Sequence, residues 1–535
     1  LTRAPKGLAG LAIVGAIWTF IAVAAQAVMK IAALVILARL LSPREFGIFV
    51  AAMAVLGFCA IFSELGVGPA IVQRKALEDR HIRAGFTLSL LLSFVAAVLI
   101  WYSSPALAEA FKMAELVPVL RAGCLVLAFQ GMSAVAMSLA QRELRFRWLA
   151  GIDAGAFAVG YVIVGASLAW LGLGVWALVG AVLTQHLLRM IMLLVGQPHL
   201  KRPLFDRATI WELLYFGTGF SIARIGNYLA GQGDNLVVGR LLGAQALGIY
   251  GYAYQLMNAS VMVIGQVLDR VLFPTMALVQ LEAERLARAY RKGCAVFALL
   301  ILPVSIVITQ VTPEIVIVLL GAQWLPAAEP LQILALAMIF RSSAKISDSV
   351  ARATGAVYAR AWRQWIFALA IVSGSLIGQH WGLTGVSFGV LAAIIFNSLL
   401  MVQLSLRLTG MSWRAFGLAY LPALALSVVI GAEAWFLADW LRSLAVPSLP
   451  MLACVALVAS SSVALLWWVL PSVFLGHDAR ALLGTTIIKI FQNLNSGFAA
   501  GRSGRRSRFR KGQALLFQDQ RRERTKTAVS VEPLK

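Results

Sequence analysis

Residues 34–52 read LVILARLLSPREFGIFVAA, and residues 235–253 read NLVVGRLLGAQALGIYGYA. Aligned without a gap, the two stretches keep a constant offset of 201 residues and agree at six of nineteen positions. Arg39-Leu40-Leu41 falls on Arg240-Leu241-Leu242, and Gly47-Ile48 falls on Gly248-Ile249. Apolar segments share a small alphabet, so scattered identities carry little weight. A shared Arg-Leu-Leu, then five residues, then Gly-Ile is harder to obtain by chance. An internal repeat governs architecture and has to be settled before a fold class is assigned.

The composition around the repeat sets the class. Of 535 residues, 60% are hydrophobic and only 13% charged, against about a quarter charged in soluble domains. Apolar runs long enough to cross a bilayer recur along most of the chain. Only helices or closed barrels satisfy every backbone group in lipid, and no short alternating strands are visible. The expectation is an all-α polytopic membrane protein. Cys59, Cys124, Cys294 and Cys454 all lie inside apolar runs. They read as small core residues, not as a disulfide framework or a metal site.

The basic start, with Arg3 and Lys6, precedes an apolar run over about 11–38. That run is too long for a signal sequence and has no clear small-residue cleavage site, so a retained helix is expected. The apolar runs give fourteen spans, near 11–38, 46–66, 84–103, 117–141, 149–171, 173–195, 211–239, 247–268, 293–320, 330–351, 360–379, 384–406, 416–438 and 451–475. The basic residues check this count. With the N-terminus taken as cytoplasmic, 36 of the 46 Lys and Arg fall on that side. Five fall opposite: Arg39, Arg44, Lys112, Arg240 and Arg442. A miscounted span would invert this positive-inside pattern from that point on. Both termini are therefore expected to be cytoplasmic.

Six spans, an even number, separate the two copies of the repeat. The first and seventh helices then cross in the same direction, and the halves are parallel repeats, an arrangement known among secondary transporters. The expected organisation is a six-helix bundle over 1–205, a second over 206–410, an extra helix pair over 411–475 and a basic cytoplasmic tail over 476–535. The fourth and tenth spans correspond, each starting at a proline, Pro118 or Pro330.

No enzyme motif is present. The chain has no GxxxxGK[ST] phosphate loop, no HExxH and no paired Cys-x2-Cys. His81, His186, His199, His380 and His477 are scattered. No catalytic residue, metal or cofactor is expected.

Ionisable groups at membrane depth carry the information, because they are costly in lipid and face a cavity or a partner. Lys30 lies in the first span. Arg224 lies near the middle of the seventh, followed by Asn227 and Asp234. The tenth holds Arg341, Lys345 and Asp348 at i, i+4 and i+7, on one helical face. Arg121, Glu64 and Asp153 stand near span ends, where snorkelling to the interface is the plainer reading. Asp348 has a plain reading too, as the ion-pair partner of Lys345 or Arg352. Lys30, Arg224, Arg341 and Lys345 are too deep for that. They are expected to line a water-filled cationic cavity suited to a phosphate or pyrophosphate. Arg39 and Arg240 read as caps on helix C-termini. Gly47 and Gly248 read as sites of a tight turn or close helix approach.

The net charge of +23 suggests nucleic acid at first sight. The tail cluster of Arg502, Arg505, Arg506, Arg508, Arg510 and Lys511 is better explained by anionic lipid headgroups of the bilayer, and no nucleic-acid partner is expected. Residues 276–291, MALVQLEAERLARAYR, read as an amphipathic helix at the cytoplasmic surface.

With these features in place, the sequence resembles a known family. ARLLSPREFGIF, SELGVGPAIVQRK, GDNLVVGRLLGAQALGIYGYAYQL and LQILALAMIFRS resemble the bacterial polysaccharide transporters. These are the Wzx-type flippases of the multidrug/oligosaccharidyl-lipid/polysaccharide flippase superfamily, and the likeness is to the colanic acid and succinoglycan export branch. It covers about residues 10–410. It implies two six-helix bundles around a central cavity with alternating access. It also implies an undecaprenyl-pyrophosphate-linked oligosaccharide as substrate, moved to the outer leaflet of the inner membrane. A polysaccharide polymerase and glycosyltransferases are the implied partners. Family members are thought to bind pyrophosphate with cationic cavity residues. By position here these are Lys30, Arg224, Arg341 and Lys345, with Asp234 or Asp348 as coupling sites and Asn227 as a further polar group. The long basic tail is not general in the family. Rival readings are a lipid II flippase for peptidoglycan, a multidrug or cation antiporter, and a membrane-embedded glycan polymerase. The basic bias of the deep charges opposes the antiporter, and the short outer loops oppose the polymerase.

Overall fold

The structure, a computed structural model, describes residues 29–74, 76–200 and 202–474. Of the expected first span, 11–38, residues 29 onward are described and belong to α1, over 29–40. The basic tail, 476–535, lies outside the described residues.

Helix α2 (Pro43–Glu64) starts where local chemistry dictates. The Glu45 N–H donates to the Ser42 hydroxyl at 3.4 Å, and the Ser42 N–H donates back to the Glu45 carboxylate at 2.7 Å. Pro43 fills the first helical position, where its missing N–H costs nothing. Next come α3 (Val67–Gln73), α4 (Asp79–Phe111), α5 (Leu116–Arg142), α6 (Phe146–Trp170) and α7 (Val175–Gly196). The middle of α6, Ala158–Gly165, is wound as a π-helix.

The second set comprises α8 (Arg207–Leu241), α9 (Gly243–Leu278), α10 (Ala283–Gln310), α11 (Thr312–Leu319) and, after a 3-10 turn at Ala322–Ala327, α12 (Ala328–Ala353). It continues with α13 (Val357–Gly378) and α14 (Gly382–Thr409). The last pair is α15 (Trp413–Ser443) and α16 (Ser448–Val469). α5 and α12 each carry their expected proline, Pro118 or Pro330, in the first turn. Asp206 caps α8. The Thr209 hydroxyl and backbone N–H donate to its carboxylate and hold it below the ordinary carboxylate range.

Nine stretches among the described residues are long and apolar enough to cross a membrane, and the chain is a polytopic all-α membrane protein. The outer surface agrees with a lipid environment: Phe94, Leu99, Tyr102 and Leu421 are all exposed. Within α16 only Met451 and Val455 are buried. α12 has the length to span, at 26 residues, but interrupts its apolar run with Arg341, Lys345 and Asp348.

The two copies of the repeated stretch pack on each other where α2 meets α9. A methyl group added to Gly47 would overlap the Ala244 carbonyl, 2.7 Å from its carbon. One added to Gly248 would overlap the Pro43 carbonyl, again 2.7 Å from its carbon. Pro43 and Ala244 are themselves 201 residues apart, so the contact maps onto itself when the copies are exchanged. The repeated arginines have parallel roles, although their acceptors are not matched residues of the repeat. Arg39 donates to the carbonyl of Val318 (2.6 Å), the penultimate residue of α11. Arg240 donates to that of Ala110 (2.9 Å), the penultimate residue of α4. Each is a helix C-cap, as expected, and each caps a helix from the opposite side of the duplication.

One expectation is corrected. Residues 276–291 do not form a separate surface helix. They contain the end of α9, a turn, and the first turns of α10. The polar face of Glu284, Arg285 and Arg288 is exposed as the pattern requires. Leu286 and Tyr290 are buried, and no breaker separates them from the apolar run beyond, so the amphipathic turns merge into the spanning helix.

Candidate functional site

The deep charges fall into separate clusters. The most buried joins α8, α9 and α12. Asp234 stands seven residues before the end of α8, about 10 Å at 1.5 Å per residue. It has no exposed surface. The Tyr250 hydroxyl donates to its Oδ2 at 2.7 Å, and the Asn235 backbone N–H donates to Oδ1 at 2.9 Å. A buried carboxylate needs such donors, since desolvation without them is costly. Tyr254 lies one helical turn beyond Tyr250, their ring centroids 6.0 Å apart. The Arg341 guanidinium donates to the Tyr254 hydroxyl at 2.8 Å and lies 5.2 Å from its ring centroid. Arg341 is thirteen residues into α12, about 20 Å along its axis. Two tyrosines thus connect a buried acid near the repeat end to an arginine at mid-bundle. Arg341 is only partly buried.

Arg224, on α8, takes a different partner. Its Nη1 pairs with Oε2 of Glu64, the last residue of α2. The two side chains retain 38% and 33% exposure. One turn further along α8, the Tyr228 hydroxyl donates to the Ala54 carbonyl at 2.7 Å. These contacts cross between the two copies of the duplication. Glu64, read from sequence as near an interface, is held in an ion pair.

The third cluster joins α12 to α13. Asp348 pairs with Arg352 at 3.0 Å, one of the partners expected, and with Arg360. Lys345 lies one turn before it, partly buried. Lys30, on the first described turn of α1, and Asn227 on α8 are exposed. The other marginal charges are also partnered. Asp153 pairs with Arg189 at 2.9 Å, and Arg121 donates to the Ser104 hydroxyl at 3.2 Å above the Trp101 ring.

At the repeat end the helices are packed together by groups that sequence reading passed over. Trp324 is fully buried, and its indole N–H donates to the Ala38 carbonyl at 2.7 Å. Gln323 donates to the same carbonyl at 2.9 Å. Phe46 stacks on Tyr252 with centroids 3.9 Å apart, and Trp324 meets Tyr252 edge-on at 4.2 Å. The sequence signal was Tyr250, Tyr252 and Tyr254 running past the end of the repeat, which a search for charges does not weigh.

The helical bundle with ionisable groups between its helices is that of a membrane transporter in the polysaccharide-flippase superfamily, as the family match and its relatives show. Residues 36–330 match the family described as "Polysaccharide biosynthesis protein", and the chain belongs to that family. It is 25% identical to the lipopolysaccharide biosynthesis protein WzxC of Escherichia coli strain K12, over 78% of this chain and 87% of that one. It is 26% identical to the teichuronic acid biosynthesis protein TuaB of Bacillus subtilis strain 168, over 69% and 78% respectively. With the succinoglycan biosynthesis transport protein ExoT of Rhizobium meliloti strain 1021 the identity is 28%, over 58% and 62%. In fold it is similar to the lipid II flippase MurJ in its inward closed conformation. The TM-score is 0.68 at 13% identity, covering 84% of this chain and 98% of that one.

Proposed function

We infer that this chain is a flippase that carries a lipid-linked oligosaccharide across the bacterial inner membrane for surface or exopolysaccharide synthesis. It is a transporter, not an enzyme. Family membership carries the reading, and the surface-polysaccharide roles in the names of its relatives support it. In this reading the chain crosses fourteen times, as two parallel six-helix halves and a terminal pair, with the repeat at the outer face and both termini cytoplasmic. The halves divide near 205 and 410. The self-matching contact of Gly47 with Gly248, and the bonds by which Arg39 and Arg240 each cap a helix of the other half, favour that division.

The substrate's pyrophosphate sits against Arg224 and Arg341, with Lys30 and Lys345 completing a cationic cavity and Asn227 at its edge. The lipid tail stays in the bilayer. Asp234 and Asp348 are the groups through which an ion gradient or the membrane potential acts. Glycosyltransferases act before it and a polymerase after it. The test is to convert Arg224 and Arg341 separately to Ala and to assay surface polysaccharide at matched protein levels. Export should fall at least tenfold in each. Normal export in both sinks the cavity assignment.

A further inference from the structure

A cavity lies beside Glu64, between α3 and α5. It encloses about 350 Å3, within the roughly 300–1,000 Å3 of small-molecule sites. Its walls are Glu64 at the end of α2, Gly68, Val72 and Gln73 on α3, and Ser138 and Gln141 on α5. Two main-chain bonds hold the α3 wall in place: the Arg142 guanidinium donates to the carbonyls of Ile71 at 3.0 Å and Val72 at 3.2 Å. Gly68 keeps the cavity open. A methyl group there would come within 3.0 Å of the Ser138 Oγ.

The lining is mixed in hydrogen-bonding character and holds no cation. Glu64 accepts only. The Ser138 hydroxyl already donates to the Ala134 carbonyl at 2.8 Å, which leaves it as an acceptor. Gln73 and Gln141 each bring two N–H donors and a carbonyl acceptor. A lining that both donates and accepts, with no cationic side chain of its own, suits a neutral hydroxyl-rich ring. Glu64 also holds Arg224. A sugar joined directly to a pyrophosphate must lie beside the pyrophosphate's own site. We propose that the cavity between α3 and α5 binds the first sugar of the substrate, with Gln73 and Gln141 as its hydrogen-bonding walls. The proposal rests on the flippase reading and adds a saccharide subsite to it.

The experiment uses the full chain in nanodiscs and two soluble-length probes, monitored by tryptophan fluorescence. One is farnesyl pyrophosphate. The other is farnesyl pyrophosphate bearing one hexose, with glucose and galactose tried in turn. Two or three added hydrogen bonds predict about tenfold tighter binding of one of the hexosylated probes. In Gly68→Leu, which fills the cavity, and in the double variant Gln73→Ala/Gln141→Ala, which leaves its shape open, that ratio should fall to about one. Equal binding of all probes by the unaltered protein overturns this proposal alone, as does a ratio kept in both variants. A ratio restored in the variants or abolished in the parent by sodium chloride would assign the cavity to a cation and overturn it too. Binding of no probe overturns the flippase reading, and this subsite with it.

Discussion

Gly47 and Gly248, at matching positions of the repeated stretch, meet where α2 packs on α9. A methyl group on Gly47 would lie 2.9 Å from the Gly248 amide nitrogen, and one on Gly248 would lie 3.1 Å from that of Gly47. No side chain fits between them. Gly47→Ala and Gly248→Ala should each cost about 1–3 kcal/mol through overpacking. Both clashes are relieved by the same parting of α2 from α9, so the double variant should cost less than the sum. Thermal unfolding in detergent measures all three. Strict additivity would mean that the two glycines do not share one contact.

Arg39→Ala and Arg240→Ala should have small effects. Both side chains are exposed and each caps one helix end, worth about 0.3–1 kcal/mol. Their thermal midpoints should fall by a similar amount, and export should persist. An export loss as deep as that of Arg341→Ala would give these arginines a transport role instead.

The pair of Arg224 with Glu64 separates structure from transport. Each single charge reversal, Arg224→Glu or Glu64→Arg, places like charges together and should lower stability by about 0.2–1 kcal/mol. The swapped double variant restores the pair and should recover the midpoint. It also moves the positive charge off α8, so export should stay low. Recovery of export in the swap would show that the pair serves folding alone.

The buried ladder gives graded outcomes. Tyr254→Phe removes the acceptor of the Arg341 N–H and should cost about 1.5–3 kcal/mol, the range for a hydrogen bond to a charged group. Asp234→Ala leaves the buried Tyr250 hydroxyl without its acceptor and should cost about 1–3 kcal/mol. Asp234→Asn keeps an acceptor there and should fold. Its transport in proteoliposomes should no longer respond to an imposed ion gradient or potential. A full response in Asp234→Asn removes Asp234 from the coupling scheme.

At the entry to α8 the sign of a pH effect can be worked out. The Thr209 hydrogen bonds depress the Asp206 carboxyl below its ordinary value. Its contribution is therefore fully present above the ordinary carboxylate range, and it is lost as pH falls through the depressed value. Hydrogen exchange at the first-turn amides of α8 should speed up, relative to the intrinsic rate, only on the acid side. Asp206→Ala should show that faster exchange at every pH.

Much of the architecture was legible because lipid enforces long apolar helices and the duplication leaves a fixed offset. Pro118 and Pro330 marked helix starts. The partners of the deep charges were not legible. Glu64 and Arg224 are 160 residues apart, and no local period links them. Tyr250 and Tyr254 join Asp234 to Arg341 only because α8, α9 and α12 converge. The surface-helix reading of 276–291 failed because an amphipathic period says which face is wet, not where the helix stops. Trp324 gave no signal at all, since one tryptophan in a membrane protein reads as an interface anchor.

The contact between Gly47 and Gly248 has the symmetry of a homodimer interface, in which one patch docks on its own copy. Doubling and fusing a gene for a self-pairing half places two such patches in a single chain. In such a fusion complementarity comes free, since a surface that fits itself needs no separate partner to evolve. It also ties the two copies together afterwards. A bulkier residue entering one helix must be answered in the other, so substitutions at positions 43, 47, 244 and 248 should travel as a set among related chains.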